Sequence, residues 1–157
     1  MRKAIRHLLC SLLVLMGSIG LCETGRAQTG SLVVTINGFV VQRVVLRVAL
    51  FASPTGFPDN PAHALRHYVG PVKADPLTLT FENLPFGTYA VSVHHDINEN
   101  GRLDKSFFGI PREPFGVSNN PKKFFGPPSF DQAKFLFKES NQKIVIELLT
   151  KNPLEKN

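Results

Sequence analysis

The segment from Asp96 to Asp104, DINENGRLD, combines the side chains that bind hard cations in proteins. Oxygen-bearing side chains occupy its first, third, fifth and ninth positions: Asp96, Asn98, Asn100 and Asp104. Gly101 at the sixth position permits a sharp turn, and Arg102 at the seventh would contribute its backbone carbonyl. Calcium takes about six to eight oxygen ligands, and a loop that directs alternate residues inward supplies them in this order. The spacing therefore predicts a structural Ca²⁺ site formed by these residues.

The twelfth position of this loop departs from the EF-hand pattern. Phe107 stands where that pattern has a bidentate glutamate, so a further oxygen must come from elsewhere. Glu113 and Asp131, in the segment that follows, are the candidates. With two certain carboxylates we expect weak affinity, about 10⁻⁴–10⁻³ M, as in extracellular modules. The pair Asn100-Gly101 is also typical of a metal-free hairpin turn, and this alternative stays open.

Two histidines directly before the loop, His94 and His95, suggest a second kind of chemistry. A histidine beside the carboxylate of Asp96 suits a small hydrolase or a zinc site. Adjacent strand residues point to opposite faces, however, so the two imidazoles do not easily share one ligand. His95 has the parity of the core-facing residues, and the serines of the chain lack a nucleophile-elbow context. We therefore expect no catalytic residues, and keep a hydrolase that uses His94 or His95 with Asp96 as the alternative.

Short segments with β-type alternation make up most of the remaining chain. Strands are predicted for residues 31–38, 44–51, 77–82, 88–95, 134–137 and 143–149. Residues 52–70 are rich in proline and glycine, and are predicted chiefly as a long loop with room for one helical turn at 62–68. No sustained helical period occurs in the sequence after residue 27. The pattern indicates an all-β protein, a single antiparallel β-sandwich with a long ordered loop.

The first 27 residues have the features of a secretory signal peptide. Arg2, Lys3 and Arg6 precede an apolar run over residues 8–21, and Gly25 and Ala27 are small residues at the cleavage positions. The run is shorter than the about 20 residues that a spanning helix needs, which disfavours an uncleaved anchor. We predict a signal peptide over 1–27, a sandwich domain over 28–150 and a flexible tail over 151–157. The mature protein would be periplasmic or secreted.

Loss of this segment changes what the composition implies. Both cysteines, Cys10 and Cys22, lie within it, so the mature chain has no thiol for disulfides, metal ligation or catalysis. Lipidation at Cys22 is disfavoured because Leu21 is bulky. The segment holds four basic residues against one acidic residue, so the formal charge falls from +6 to about +3. That charge is too mild to indicate a nucleic-acid partner. The remaining length suits one core, and we expect a monomer with no transmembrane span.

Residues 107–130 are rich in phenylalanine. The rings are Phe107, Phe108, Phe115, Phe124, Phe125 and Phe130. They form either an exposed surface for a glycan, peptide or membrane headgroup, or a set of rings that fold back and cap the sandwich. Phenylalanine has no hydrogen-bonding group and the chain has no tryptophan, which favours the cap. Ser118, Asn119 and Asn120 are expected to hydrogen-bond loop backbone.

Three motifs of the chain resemble the bacterial family DUF2141. They are GTYAVSVHHDINENGRLD, GIPREPFGVSNN and GPPSFDQAKF, and the resemblance covers residues 31–149. It implies a small exported protein with no assigned activity. The first motif is also similar to carboxypeptidase regulatory-like and transthyretin-like sandwiches, which implies an Ig-like or transthyretin-like fold but carries no function. The Tyr-Arg-Gly-Ser ending of transthyretin-like hydroxyisourate hydrolases is absent. We therefore expect a non-enzymatic cell-envelope or extracellular binding module, whose ligand and partner the sequence leaves open.

Overall fold

Two β-sheets account for most of the protein in this computed structural model, which describes residues 27–40, 44–107, 111–121 and 126–149. The strands are β1 (Thr29–Asn37), β2 (Val45–Phe51), β3 (Arg66–Pro71), β4 (Leu77–Pro85), β5 (Gly87–Asp96), β6 (Phe115–Val117), β7 (Phe135–Phe137) and β8 (Gln142–Glu147). Helical structure in the described residues is limited to a 3₁₀ turn at Pro61–His63 and one turn of helix, α1 (Phe130–Ala133). The predicted all-β class is confirmed.

The smaller sheet has three strands in the order β4-β1-β8. Strand β1 is antiparallel to β4 but parallel to β8, with Val34 opposite Ile144. The prediction of a purely antiparallel fold is therefore wrong at this pair. Apolar alternation is the same in both kinds of pairing, and no short hairpin connects β1 with β8, so the sequence pattern could not reveal their relative direction.

The larger sheet has β5 as its central strand. Its order is β3-β2-β5-β6, and β7 pairs with the first residues of β5 on the edge that β6 uses further along. Strand β4 ends at Pro85 and β5 begins at Gly87, so the predicted tight connection passes from one sheet to the other. Strand β5 thereby carries its C-terminal residues, including the two histidines, along the middle of the larger sheet.

The core lies between the two sheets. Alternate residues of β1, β2, β5 and β8 are buried there, which reproduces the predicted period of two. They are Leu32, Val34 and Ile36, Leu46, Val48 and Leu50, Tyr89, Val91 and Val93, and Ile146. Each fully buried aliphatic side chain contributes about 1.5–3 kcal/mol relative to an exposed one. A second, smaller cluster of Ala90, Val117 and Ala133 lies on the opposite face of the larger sheet, where Phe57 and Phe130 pack against it.

Strand β3 was not predicted, because the sequence indicated a loop over 52–70 with room for a helical turn at 62–68. The helical turn is shorter and earlier, at Pro61–His63, where the side chain of Asn60 accepts a hydrogen bond from Ala62 N–H. Among the described strands, the edge strand β3 pairs with β2 alone, and most of its side chains are exposed. Tyr68 is the β3 side chain that packs against the core, and one such residue is too few to produce an alternating pattern.

Two predicted segments fall largely or wholly outside the described residues: the signal peptide, of which only Ala27 is described, and the tail over 151–157. In the described part of the chain, no helix has both the length and the apolar character required to cross a bilayer.

Candidate functional site

Asp96 ends β5, and its carboxylate is fully buried where the loop begins. Arg47 of the neighbouring strand β2 donates from Nε to Asp96 Oδ2 across 2.7 Å. The backbone N–H of Asn100 donates to Oδ1 at 3.1 Å, and that of Gly101 to Oδ2 at 2.9 Å. Three donors thus compensate this carboxylate for its removal from water.

The same donors set the ionisation of Asp96. Burial by itself raises the pKa of this carboxyl, but the hydrogen bonds from Arg47 and from Gly101 N–H outweigh it, together with the charges of His94 and Arg47. The pKa of Asp96 therefore lies below its ordinary value. The side chain is ionised at neutral pH, which is the form that a cation ligand requires.

The side chains of Asn98, Asn100 and Asp104 converge inside the loop. Asn98 and Asn100 donate from Nδ2 to the two carboxylate oxygens of Asp104, at 2.7 and 3.0 Å. Asn100 Oδ1 accepts a hydrogen bond from Arg102 N–H at 2.8 Å. Gly101 has a φ of +79°, so the predicted sharp turn at the sixth position is confirmed. Hydrogen bonds link the five residues predicted as calcium ligands, Asp96, Asn98, Asn100, Arg102 and Asp104, and Arg102 takes part through its backbone N–H.

Glu113 joins this network, whereas Asp131 does not. The Glu113 carboxylate is buried, and it accepts from Ile97 N–H at 2.9 Å and from Asp104 N–H at 3.1 Å. Asp131 lies in α1, where it forms an exposed ion pair with Lys134 at 2.6 Å. Residues 97–114 form one long connection between β5 and β6, so Asn100-Gly101 is not the two-residue turn of a hairpin.

His94 adds an imidazole to the two buried carboxylates. Its Nε2 lies 2.8 Å from Glu113 Oε2, and potential ligand atoms of His94, Asp96 and Glu113 all lie within 4.8 Å of one another. One imidazole and two carboxylates are ligands that zinc accepts. Each of these carboxylates, however, already accepts hydrogen bonds from three donors or potential donors. A metal ion at this point would have to displace part of the network.

His95 occupies the core, as its parity predicts. Its side chain is fully buried, and its ring stands edge-on to Phe39 with the centroids 5.4 Å apart. The two histidines therefore lie on opposite faces of the sheet. His94 is the one that reaches the candidate site.

A cavity of about 330 Å³ lies on the face of the larger sheet that points away from the core. Strands β2, β3, β5 and β6 form its floor, and the polar floor residues include Arg47, Ser92 and His94. One wall comes from the segment after β2, at Pro58–Ala62, and the other from the Asp96 loop, at Gly101 and Leu103. An ion pair between Lys105 and Asp59 links these two walls.

The phenylalanine-rich segment divides between the two predicted roles. Phe130 packs edge-on against Phe57 at 5.9 Å, and Phe115 lines the cavity as part of β6, so these two rings cover the sheet. Phe107 is 97% exposed. The rings of Phe108, Phe124 and Phe125 fall outside the described residues.

The three polar residues that follow β6 connect it to β5, α1 and β8 through hydrogen bonds. Ser118 is fully buried, accepts from Val91 N–H at 2.9 Å and donates to Ala133 O at 2.6 Å. Asn119 donates to the carbonyls of Gln132 and Lys134, and Asn120 bonds to Val145 and Glu147 of β8. These three residues bond backbone as predicted, but the predicted loop partners are largely wrong, because most of the bonded backbone belongs to β5, α1 and β8.

Two features of the site are not indicated by the sequence pattern. Arg47 has the parity of the β2 residues that point away from the core, which predicts contact with water and gives no indication of its pairing with the buried Asp96. The wall at Pro58–Ala62 lies in the predicted loop over residues 52–70, and nothing in its composition indicates which surface it covers.

The motifs around this site are those of a bacterial protein family. The family DUF2141, described as "Uncharacterized protein conserved in bacteria", matches residues 34–145, and the chain belongs to it. The match includes the cavity, the Asp96 loop and Glu113. A search of the curated proteins and a search of the solved structures each found no match.

Proposed function

We propose that the protein is an exported, non-enzymatic binding module of the cell envelope or extracellular space, which acts as a monomer. Its fold is a β-sandwich of the Ig-like or transthyretin-like kind. A structural calcium ion holds the Asp96 loop, and a ligand binds in the cavity that this loop helps to enclose. The signal-like residues 1–27 support export. The observation that supports binding is the cavity itself, whose floor is formed by four strands of the larger sheet.

The convergence of the loop side chains supports the calcium ion. Asp96 and Asp104 supply carboxylates, and each of Asn98 and Asn100 lies within hydrogen-bonding distance of Asp104. The oxygen and nitrogen of an amide exchange places by a half-turn of the side chain. That half-turn would direct two amide oxygens toward Asp104, but the ion would have to compensate for the hydrogen bonds that these oxygens now accept from Asn100 N–H and Arg102 N–H. The backbone carbonyl of Arg102 would add another oxygen. Glu113, not Asp131, is the carboxylate positioned to complete the ligand set.

A neutral apolar dye tests whether the cavity binds ligands. N-phenyl-1-naphthylamine should show a saturable rise in fluorescence with the purified protein, because its emission increases on leaving water. Ala49→Leu, on the cavity floor, should abolish the rise by filling the space. Thr35→Leu, on the partly exposed face of the smaller sheet, is the matched control. Dye binding that is absent, or that survives Ala49→Leu unchanged, would refute the cavity as the binding site.

A small hydrolase that uses His94 with Asp96 is the second candidate, because His94 and Ser92 both line the cavity. The bonding of these side chains argues against it. Ser92 Oγ donates to Pro58 O at 2.7 Å, and His94 Nε2 faces Glu113, so the expected nucleophile–base contact is not formed. If the protein hydrolyses p-nitrophenyl acetate and both Ser92→Ala and His94→Gln abolish this activity, the protein is a hydrolase and the proposal of a non-enzymatic binding module is wrong.

A further inference from the structure

We infer that the ligand of the cavity is a small carboxylic acid, bound as its anion, with an apolar body and one carboxylate that the Arg47 guanidinium recognises. This inference rests on the proposed binding function and adds the chemical class of the ligand. It follows from the shape of the cavity, from which polar groups around it are already engaged, and from the position of Arg47.

The body of the ligand must be small and apolar. Much of the lining is aliphatic or aromatic: Ala49, Val69, Leu103, Phe115 and Val117. The volume of about 330 Å³ lies at the lower end of the roughly 300–1,000 Å³ range of ligand pockets. Aliphatic acids with short branches and single-ring aromatic acids match both properties.

The lining has six polar side chains, and three of them, Ser92, His94 and Asp59, are engaged by the protein; the others are Arg47, His67 and Tyr68. Ser92 Oγ donates to Pro58 O, and His94 Nε2 is within hydrogen-bonding distance of Glu113. Asp59 is the one carboxylate among the lining residues, and it is paired with Lys105. A cationic ligand would therefore have to compete with a lysine for that carboxylate.

Arg47 is different, because it has donors to spare. Nε is the atom that bonds to Asp96, and no other hydrogen bond of this guanidinium occurs within the described part of the chain. Arg47 Nη2 lies close to Gly101, 3.5 Å from the position that a Cβ atom would occupy there. Because glycine has no side chain, Gly101 does not cover this nitrogen. About one third of the Arg47 side chain is exposed (32%). Arg47 lines the cavity, and the two Nη groups of a guanidinium form the planar donor arrangement that matches a carboxylate.

Asp96 limits how strongly this charge attracts an anion. The carboxylate of Asp96 lies 2.7 Å from Arg47 Nε and neutralises much of the guanidinium charge. We therefore expect selectivity to come from hydrogen-bond geometry together with a modest charge effect. A charge introduced at the partly exposed cavity mouth should change affinity by about two- to fivefold.

Matched acids and amides separate the anion from its apolar body. The probes are isobutyrate, benzoate and phenylacetate, each compared with its amide by titration of backbone amide chemical shifts in the purified protein. At least one acid should bind with roughly millimolar Kd and shift the signals of Val69, Leu103 and Val117. Its amide should bind at least about tenfold more weakly, because one carboxylate oxygen is replaced by a donor facing Arg47.

Three variants of Val69 test the charge at the same place. Val69 lies directly opposite Arg47 on the adjacent strand and is 52% exposed, so polar replacements should be tolerated. Relative to Val69→Gln, the variant Val69→Glu should weaken acid binding by about two- to fivefold and Val69→Lys should strengthen it by a similar factor. The affinity for the uncharged amide probes should differ little among the three Val69 variants.

The outcomes distinguish this inference from the proposed function. An acid that binds more tightly than its amide and follows the charge at position 69 supports the inference. Equal binding of acids and amides, or binding of amides alone, overturns the carboxylate while leaving a small-molecule cavity. If no probe binds and the neutral dye also fails, both the inference and the binding function are wrong. If no probe binds but the dye does, only the carboxylate is excluded.

Discussion

Arg47 Nε donates to Asp96 Oδ2 across 2.7 Å, and this pair connects β2 to the start of the Asp96 loop. The carboxylate is fully buried, whereas Arg47 lines the cavity and about one third of its side chain is exposed. One arginine therefore contacts both the candidate cation loop and the candidate ligand site. Gly101 and Leu103 of the loop form one wall of the cavity, and the Arg47–Asp96 ion pair connects the loop to the cavity floor. A substitution that destabilises the loop should therefore also change the cavity.

Replacing Arg47 by methionine should destabilise the protein. The buried carboxylate of Asp96 would keep its two backbone donors but lose its charged partner. We expect a loss of about 1–3 kcal/mol in the free energy of unfolding, measured by urea denaturation at neutral pH. Arg66→Met is the control, because Arg66 is exposed on the edge strand β3. Equal effects of the two substitutions would show that the Arg47–Asp96 pair contributes nothing.

Acid should destabilise the protein through Asp96. A carboxyl whose folded pKa lies below its unfolded value stabilises the fold fully above the unfolded value, 3.8 for an ordinary aspartate. That contribution is lost as the pH falls from there through the lower, folded pKa. Asp96→Asn should therefore be less stable than the parent at pH 7, and its stability should fall less between pH 4 and pH 2, by urea titration at each pH. An identical pH dependence in both proteins would contradict this assignment.

Glu113 should hold the loop through its three contacts. Glu113→Gln keeps the size of the side chain but replaces one acceptor oxygen by an NH₂ donor. If Oε1 is replaced, the donor faces Ile97 N–H; if Oε2 is replaced, it faces His94 Nε2 and Asp104 N–H. We expect about 1–3 kcal/mol of destabilisation. Amide hydrogen exchange should also accelerate in the loop more than in the core strands.

Glu139→Gln is the matched control for Glu113, because Glu139 is exposed near the turn before β8. Unchanged exchange in residues 97–104 of the Glu113 variant would show that the loop does not depend on this carboxylate.

Ser118 should be important for stability although it lies outside the candidate site. Ser118→Ala removes the acceptor for Val91 N–H and the donor to Ala133 O, both buried. The expected cost is about 1–3 kcal/mol in thermal or urea unfolding. Ser53→Ala, in an exposed turn, should be neutral. A neutral Ser118→Ala would mean that water replaces both bonds.

The sequence predicted those parts of the fold that leave a periodic trace. Leu32, Val34 and Ile36 alternate because one face of β1 is buried, and the same reasoning located β2 and β5. Strand β3 is mostly exposed, with Tyr68 packed against the core, and left no such pattern. The loop residues were found because their spacing along the chain is itself the signal. Arg47 and Glu113 lie 49 and 17 residues from Asp96, so only the paired strands and the long connection could show how closely they approach it.

Thermal melting with and without calcium tests the central claim most directly. A ligand that binds only the folded state stabilises it, so 10 mM Ca²⁺ at the expected affinity should add about 1.4–2.7 kcal/mol relative to chelator. The melting temperature should rise by about 5 °C or more. Asp104→Asn should remove this rise, while Asp131→Asn, in the exposed pair with Lys134, should keep it. A melting temperature that calcium does not change, or a rise that survives Asp104→Asn, would contradict a calcium-held loop.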